Sequence, residues 1–275
     1  MPDLDITQYP VSGALGRHMV LDERSLAYTS PYRGETIHPV EWAPKVPVLD
    51  QQDLLAQNIH TGELFDGVED VDALGSCTAN AATALISVLH DADTLADAGL
   101  DVTDPAAAEV WAIGLYSNAT NCDQWHDVAW PATDCGSSGL GVAKALRNRG
   151  LIGSYRHATT ARELCRDLQH GPVLMGTAWY DAWFSPVGSS ALLDDIPGWD
   201  RSPVVGGHEI CIVALEDVRY DANGGLDYAR TILRLRNSWS RSWGDEGEFR
   251  MSLALYQALR QQIDLVQPHL DASRK

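Results

Sequence analysis

Residues 79–89 contain no Gly or Pro, and Ala82, Leu85, Ile86 and Leu89 recur at i, i+3, i+4 and i+7. That spacing sets four apolar side chains on one face and predicts a buried helix. A second helix is predicted after Thr103-Asp104-Pro105, with Pro in its first turn and Ala108, Trp111, Ala112 and Leu115 as its apolar face. Val142, Ala143 and Leu146 mark a third. The capping box Thr160-Ala161-Arg162-Glu163 starts a short fourth, which ends near Gly171-Pro172. From there the period changes. Residues 172–178, 208–215 and 228–236 read as strands, the last two joined by a turn at Asn223-Gly224-Gly225. Arg230, Ile232, Arg234 and Arg236 alternate with Thr231, Leu233 and Leu235, the pattern of a half-buried antiparallel strand. Residues 247–252 form a further strand and 253–263 a final helix. Helices dominate the first half and strands the second, which predicts an α+β chain of two lobes.

The 275 residues, 45% hydrophobic and 21% charged, suit one globular unit with a sizeable core. The formal charge of −18 changes the picture more: a surface this acidic argues against nucleic acid and anionic membranes as partners. Met1-Pro2-Asp3-Leu4-Asp5 has neither a basic nor an apolar signal-peptide region, so a cytoplasmic location is expected. The five cysteines (Cys77, Cys122, Cys135, Cys165 and Cys211) include no CxxC pair, and the nine His show no ligand spacing. No metal, cofactor or disulfide framework is expected. The loop from Asn121 to Cys135, with Trp125, Trp130 and Pro131, is flanked by Cys122 and Cys135, which could pair under oxidising conditions.

Leu74-Gly75-Ser76-Cys77 places a thiol where a tight turn enters the first predicted helix. The positive end of the helix dipole favours a thiolate there. A lone Cys is more often a small core hydrophobe, but two later stretches point to chemistry. Gly206-Gly207-His208 precedes an apolar strand, and Asn237-Ser238-Trp239 with Ser242-Trp243-Gly244 follows another. Cys, His and Asn in that order are the set used by one class of thiol nucleophiles.

With G-S-C-T-A-N at the helix start, the chain resembles papain-like cysteine peptidases, in particular compact bacterial and phage forms, over roughly residues 40 to 255. The resemblance implies a two-lobe α+β fold: a helical lobe at about 74–170, an antiparallel β-barrel-like lobe at about 171–265, and an active-site cleft between them. Residues 1–40 would be an N-terminal extension, too short in helix for a long helical propeptide, and 266–275 a C-terminal tail. It implies Cys77 as nucleophile, His208 as acid and base, Asn237 to orient the imidazole and Trp239 to shield that bond, acting on protein or peptide substrates.

In the family a P-V-x-D-Q-G segment supplies an oxyanion Gln six residues before the Cys. Here that position is Val71, and the matching Asp50-Gln51 lies 26 residues before Cys77. Gln51 is therefore expected to fold back beside Cys77, with an acidic insertion over about 52–73 bulging into solvent. Ser138 and Gly139 are expected to line the substrate cleft, Gly207 to contact the substrate, and Glu209 to border the pocket for the second residue before the cut. Glu209 would then admit polar or basic side chains, or else simply face a neighbouring strand. A papain-fold protein that binds peptides with weak or no cleavage is the alternative, and a transglutaminase-like enzyme, which favours Asp as third member, a weaker one.

Overall fold

The computed structural model describes residues 12–124, 128–186 and 188–270. Trp125, singled out in the loop before Cys135, and residues 1–11 and 271–275 of the two expected terminal segments lie outside them.

The chain runs β1 (Val40–Glu41), α1 (Thr61–Leu64), α2 (Cys77–Leu89), α3 (Ala92–Asp97), α4 (Pro105–Thr120), α5 (Gly139–Asn148), β2 (Ser154–His157), α6 (Ala161–Leu168), β3 (Val173–Tyr180), β4 (Val204–Asp217), β5 (Ile232–Arg236), β6 (Glu248–Ser252), α7 (Leu253–Leu259) and β7 (Asp264–His269). The start signals act as the sequence implies. Asp104 caps α4 through Ala106 and Ala107 N–H with Pro105 in the first turn, and Thr160 and Glu163 close a capping box on α6.

Two cores form. Leu85, Ile86, Ile113, Leu115, Tyr116 and Leu146 pack the helical lobe. Trp179, Trp183, Phe249, Met251 and Tyr256 pack the other. β4 serves both: Cys211 and Val213 face the helical core, Ile210 and Ile212 the other, as side chains alternate along a strand. This double burial explains why residues 210–215 form an unbroken apolar run rather than an alternating one.

The sheet has the order β2-β7-β3-β4-β5-β6, antiparallel throughout, with β1 paired to β4. It is open, not closed into a barrel. The outer edge of β6 is covered by the segment at Ala191, whose carbonyl accepts Arg250 N–H at 3.0 Å. Residues 266–269, expected in a tail, belong to β7, buried between β2 and β3. The expected helix 253–263 stops as α7 plus a short 3-10 turn.

The insertion is not a simple bulge. Leu54 and Ile59 sit in the helical core at 0% and 2% exposure, and Leu54 N–H bonds Asp72 O at 2.8 Å. Its six carboxylate residues, Asp53, Glu63, Asp66, Glu69, Asp70 and Asp72, are all exposed, and Asp70 also meets His60 Nδ1 at 2.8 Å.

Candidate active site

Cys77 is the first residue of α2. Ser76 before it makes no cap bond to the helix; its hydroxyl donates to Asn80 Oδ1 at 2.8 Å. Asn80 Nδ2 donates to Glu109 Oε1 at 2.5 Å, and Glu109 Oε2 accepts Asp50 N–H at 3.1 Å. Burial pushes the Glu109 carboxyl up to about 7, with these two bonds pulling the other way. The relay ties the first turn of α2 to the segment entering Gln51. Sequence reasoning missed it; one acidic residue interrupting the apolar face of α4 was the available signal.

His208 lies on the same face of β4 as Ile210. Its ring stacks on Trp239 at 4.6 Å and 25°, and meets the edge of Trp179 at 4.9 Å. Nε2 is 2.7 Å from Asn237 Oδ1, which also accepts Ser238 N–H at 2.8 Å. An amide oxygen can only accept, so Nε2 carries the proton of the neutral ring. Nδ1 is buried without a hydrogen-bond partner. Burial takes His208 down to about 4, against the Asn237 bond, which works upward.

Cys77 meets β4 one residue further on, where the Glu209 backbone lies close enough to act on its thiol. Cys77 thus sits against the neighbour of His208, and Asn237 reaches the same imidazole. A dipole-lowered thiolate was expected at Cys77. The structure shows the reverse: the residue is 0% exposed, and burial pushes its thiol up to about 12, with the Glu209 and Gly16 backbone only partly opposing.

What covers Cys77 is the chain's own segment 12–18. Gly16 O accepts Ser137 N–H at 2.8 Å, Ser137 O accepts His18 N–H at 2.9 Å, and Arg17 N–H donates to Gly207 O at 3.0 Å. Trp239 Nε1 donates to Ala14 O at 3.2 Å. The segment is gripped from both lobes, and Gly16 lies so close to Gly75 that a Cβ there would stand 1.7 Å from Gly75 O.

No protein-family model matches the sequence, and no curated protein does. Solved structures do match. Xylellain, a cysteine protease from Xylella fastidiosa, superposes with a TM-score of 0.60 at 18% identity, over 94% of this chain and 96% of that one. A procathepsin B from Trypanosoma congolense gives a TM-score of 0.53 at 10% identity, over 98% and 90%. The fold is papain-like. Identities this low show the fold alone.

Within the papain-like fold, Gln51 reaches Leu74, three residues before Cys77. Its backbone N–H and C=O bond Ser238 O at 3.1 Å and Leu74 N–H at 3.2 Å. Its side-chain Nε2 donates to Leu74 O at 3.0 Å and Gly13 O at 2.9 Å, and Oε1 accepts from Ser238 Oγ at 2.5 Å. Gln51 therefore joins the residue three before Cys77 to the residue after Asn237. Val71 lies half-buried against the helical core.

Of the expected cleft residues, Ser138 caps α5 through Gly141 N–H at 3.0 Å and its hydroxyl donates to Asp123. The backbone that pairs with an extended segment belongs to Ser137, one residue earlier. Gly207 supplies a carbonyl to that segment. Gly139 lies against Glu209, whose carboxylate is fully buried beside Arg17. Among the described residues, no cluster of His, Cys, Asp and Glu could hold a metal, and no helix is long and apolar enough to cross a membrane.

Proposed function

We propose that this chain is a cysteine-type endopeptidase. The observation that carries the reading is the His208–Asn237 hydrogen bond beneath Trp239, made next to the strand position that contacts Cys77. The Asn237 bond fixes the proton on Nε2 and leaves Nδ1 as the basic nitrogen. Cys77 would pass its proton to Nδ1 and attack a peptide carbonyl as thiolate. His208 would return that proton to the leaving amine, which departs as the thioester forms; water then attacks the thioester, and the acid product leaves as the thiol reforms. The backbone N–H of Cys77 and the Gln51 amide would hold the oxyanion. In favour of Gln51, its amide already donates to a carbonyl of the segment lying in the cleft, Gly13. Protein or peptide substrates follow from this chemistry.

The test is cleavage of a peptide library. Cys77→Ala and His208→Ala should abolish it while the fold survives, and Asn237→Ala should reduce it less, because orientation rather than chemistry is lost. The losses should not add. Full cleavage by Cys77→Ala would sink the reading. The complete burial of Cys77 favours a second reading, a papain-like fold that binds peptides with little cleavage. In that case Cys77 would resist a thiol-directed peptide probe even when segment 12–18 is displaced.

A further inference from the structure

Glu109 is a buried carboxylate that the chemistry proposed above does not use. It lies in α4 at 0% exposure, inside a lobe packed with apolar side chains. Among the described residues the charge acting on it is that of Asp50, which has the same sign. A carboxylate buried without a cation is costly, and an apolar side chain would serve packing alone at less cost. What Glu109 has instead is a use for each oxygen. Oε1 accepts from Asn80 Nδ2, and Oε2 accepts Asp50 N–H. Two acceptor atoms facing two donors is what a carboxylate offers and a neutral amide does not.

The first arm ends at the peptide that carries the Cys77 N–H. Asn80 holds Ser76 twice: its N–H donates to Ser76 O at 3.1 Å, and its Oδ1 accepts the Ser76 hydroxyl at 2.8 Å. Ser76 O also accepts Ala79 N–H at 2.9 Å, so the carbonyl of this peptide points into α2. In a planar trans peptide the N–H lies opposite the C=O, which aims the Cys77 N–H out of the helix start. Glu109 sets the sense of this arm. With Nδ2 committed to the carboxylate, Oδ1 is the end of the Asn80 amide that meets Ser76. The second arm ends at Gln51. Asp50 bridges to Trp239, Gln51 N–H donates to Ser238 O, and Glu109 takes the Asp50 N–H one peptide before Gln51. Asn80 and Leu49 line one small cavity together with Asn237 and Ser238, so both arms reach the sheet beside the residue that orients His208.

We infer that Glu109 is a positioning residue for the oxyanion hole: one carboxylate holds the Cys77 peptide, through Asn80 and Ser76, in register with Gln51, through Asp50. This rests on the peptidase reading and extends it, because Glu109 itself touches neither the substrate nor the reacting atoms. Two donors on separate segments stabilise one oxygen only while their spacing is fixed, and a misplacement of about 1 Å can cost on the order of 100-fold in rate.

Glu109→Gln keeps the shape and removes one acceptor, so that its new amide nitrogen faces either Asn80 Nδ2 or the Asp50 N–H. In peptide cleavage its kcat should fall by about 10- to 100-fold with KM within about 2-fold of wild type. Adding Asn80→Asp restores every bond with the middle one reversed: the new amide donates to the new carboxylate, which still accepts from Ser76, while the amide oxygen accepts the Asp50 N–H. This double variant should return kcat to within about 3-fold of wild type. Alkylation of Cys77 by iodoacetamide builds no oxyanion, so it reads the nucleophile and the fold alone, and in Glu109→Gln it should stay within about 2-fold of wild type. Should Glu109→Gln fail to fold, Asn80→Ala, which cuts the Ser76 arm alone, carries the same expectation for kcat, KM and alkylation. Wild-type kcat in the single variant overturns the inference and leaves the peptidase reading standing. So does a loss of kcat matched by an equal loss of alkylation, the mark of a loosened fold, and so does a double variant no faster than Glu109→Gln. No cleavage by the wild-type chain overturns the peptidase reading, and this role with it.

Discussion

At the scale of single residues, Gln51 joins two roles that the sequence separated. The family resemblance pointed to its place in the fold, because Asp50-Gln51 match the segment that lies before the nucleophile in that family. It did not show that both ends of the amide are in use. Gln51 Nε2 and Oε1 bond Leu74, Gly13 and Ser238, so truncation orphans buried groups at about 1–3 kcal/mol each. Gln51→Ala should lower kcat by about 100- to 1000-fold, the usual loss for one oxyanion donor, and should also lower the unfolding free energy by about 2 kcal/mol in a denaturant titration. Gln52 is half-buried and among the described residues bonds Asp50 through its N–H; Gln52→Ala should change neither. Wild-type turnover in Gln51→Ala would remove the amide from the oxyanion hole.

His208 permits a pH argument of definite sign. Its folded value is about 4, set by burial against the opposing Asn237 bond, and an unfolded His titrates near 6.5. Between those values the unfolded chain binds more protons. The stability that His208 confers is therefore whole above about pH 6.5 and is lost as pH falls toward 4. The difference in unfolding free energy between wild type and His208→Gln should shift by roughly 3 kcal/mol across that window, at ~1.36 kcal/mol per pKa unit. A constant difference from pH 7 to pH 4 would mean the imidazole is hydrated, and that Trp239 and Trp179 do not seal it.

At the scale of elements, legibility followed periodicity. α4 and β5 have one buried face each, and their apolar spacing reads directly from the sequence; α2 shows such a spacing too but is buried on every side from Cys77 to Ser87. β4 was legible as an apolar run, although the run itself could not say that its two faces serve two cores. β7 was not legible, because Asp264, Gln267 and Pro268 break the apolar pattern while all six of its residues pair in the sheet or take buried positions there. The polar residues that hide the strand have jobs: Gln267 Nε2 bonds Gly171 O at 3.1 Å, and Asp264 faces Glu209 across Gly176. α1 is a single turn held by Thr61, too short for any period to show. The insertion misled for a related reason. Its charges dominate its composition, while its buried anchors Leu54 and Ile59 stand in an acidic stretch without a helical or strand period.

At the scale of the whole molecule, the sequence showed the two lobes and the cleft but not what lies in it. Residues 12–18 are short, mixed and without period, so nothing local predicts that they bridge Ser137 on one lobe and Gly207 on the other. Their placement depends on close approach. Gly16 rests on Gly75, and Gly75 cannot yield: its N–H bonds Asp134 Oδ2 at 3.0 Å, and Asp134 Oδ1 in turn accepts from Tyr116 OH at 2.6 Å. A Cβ at residue 16 would stand 1.7 Å from Gly75 O and 2.1 Å from its carbonyl carbon. Backbone at that range must separate, and the segment is the partner free to move, since Gly75 continues into α2, which is buried from Cys77 to Ser87. Gly16→Ala should therefore lift residues 12–18 from the cleft while both cores stay packed. Cys77 would then meet solvent, its thiol would lose the burial that pushes it up to about 12, and its alkylation by iodoacetamide should accelerate by at least about 10-fold, since a tenfold gain in thiolate needs only one pKa unit. Cys165 and Cys211, each at 0% exposure inside the cores, supply the internal control and should stay protected in the same mass-spectrometric experiment. If Cys77 in Gly16→Ala reacts no faster than in wild type while the fold persists, the segment is not what shields the thiol. If all three cysteines accelerate together, the substitution has loosened the lobes rather than opened the cleft.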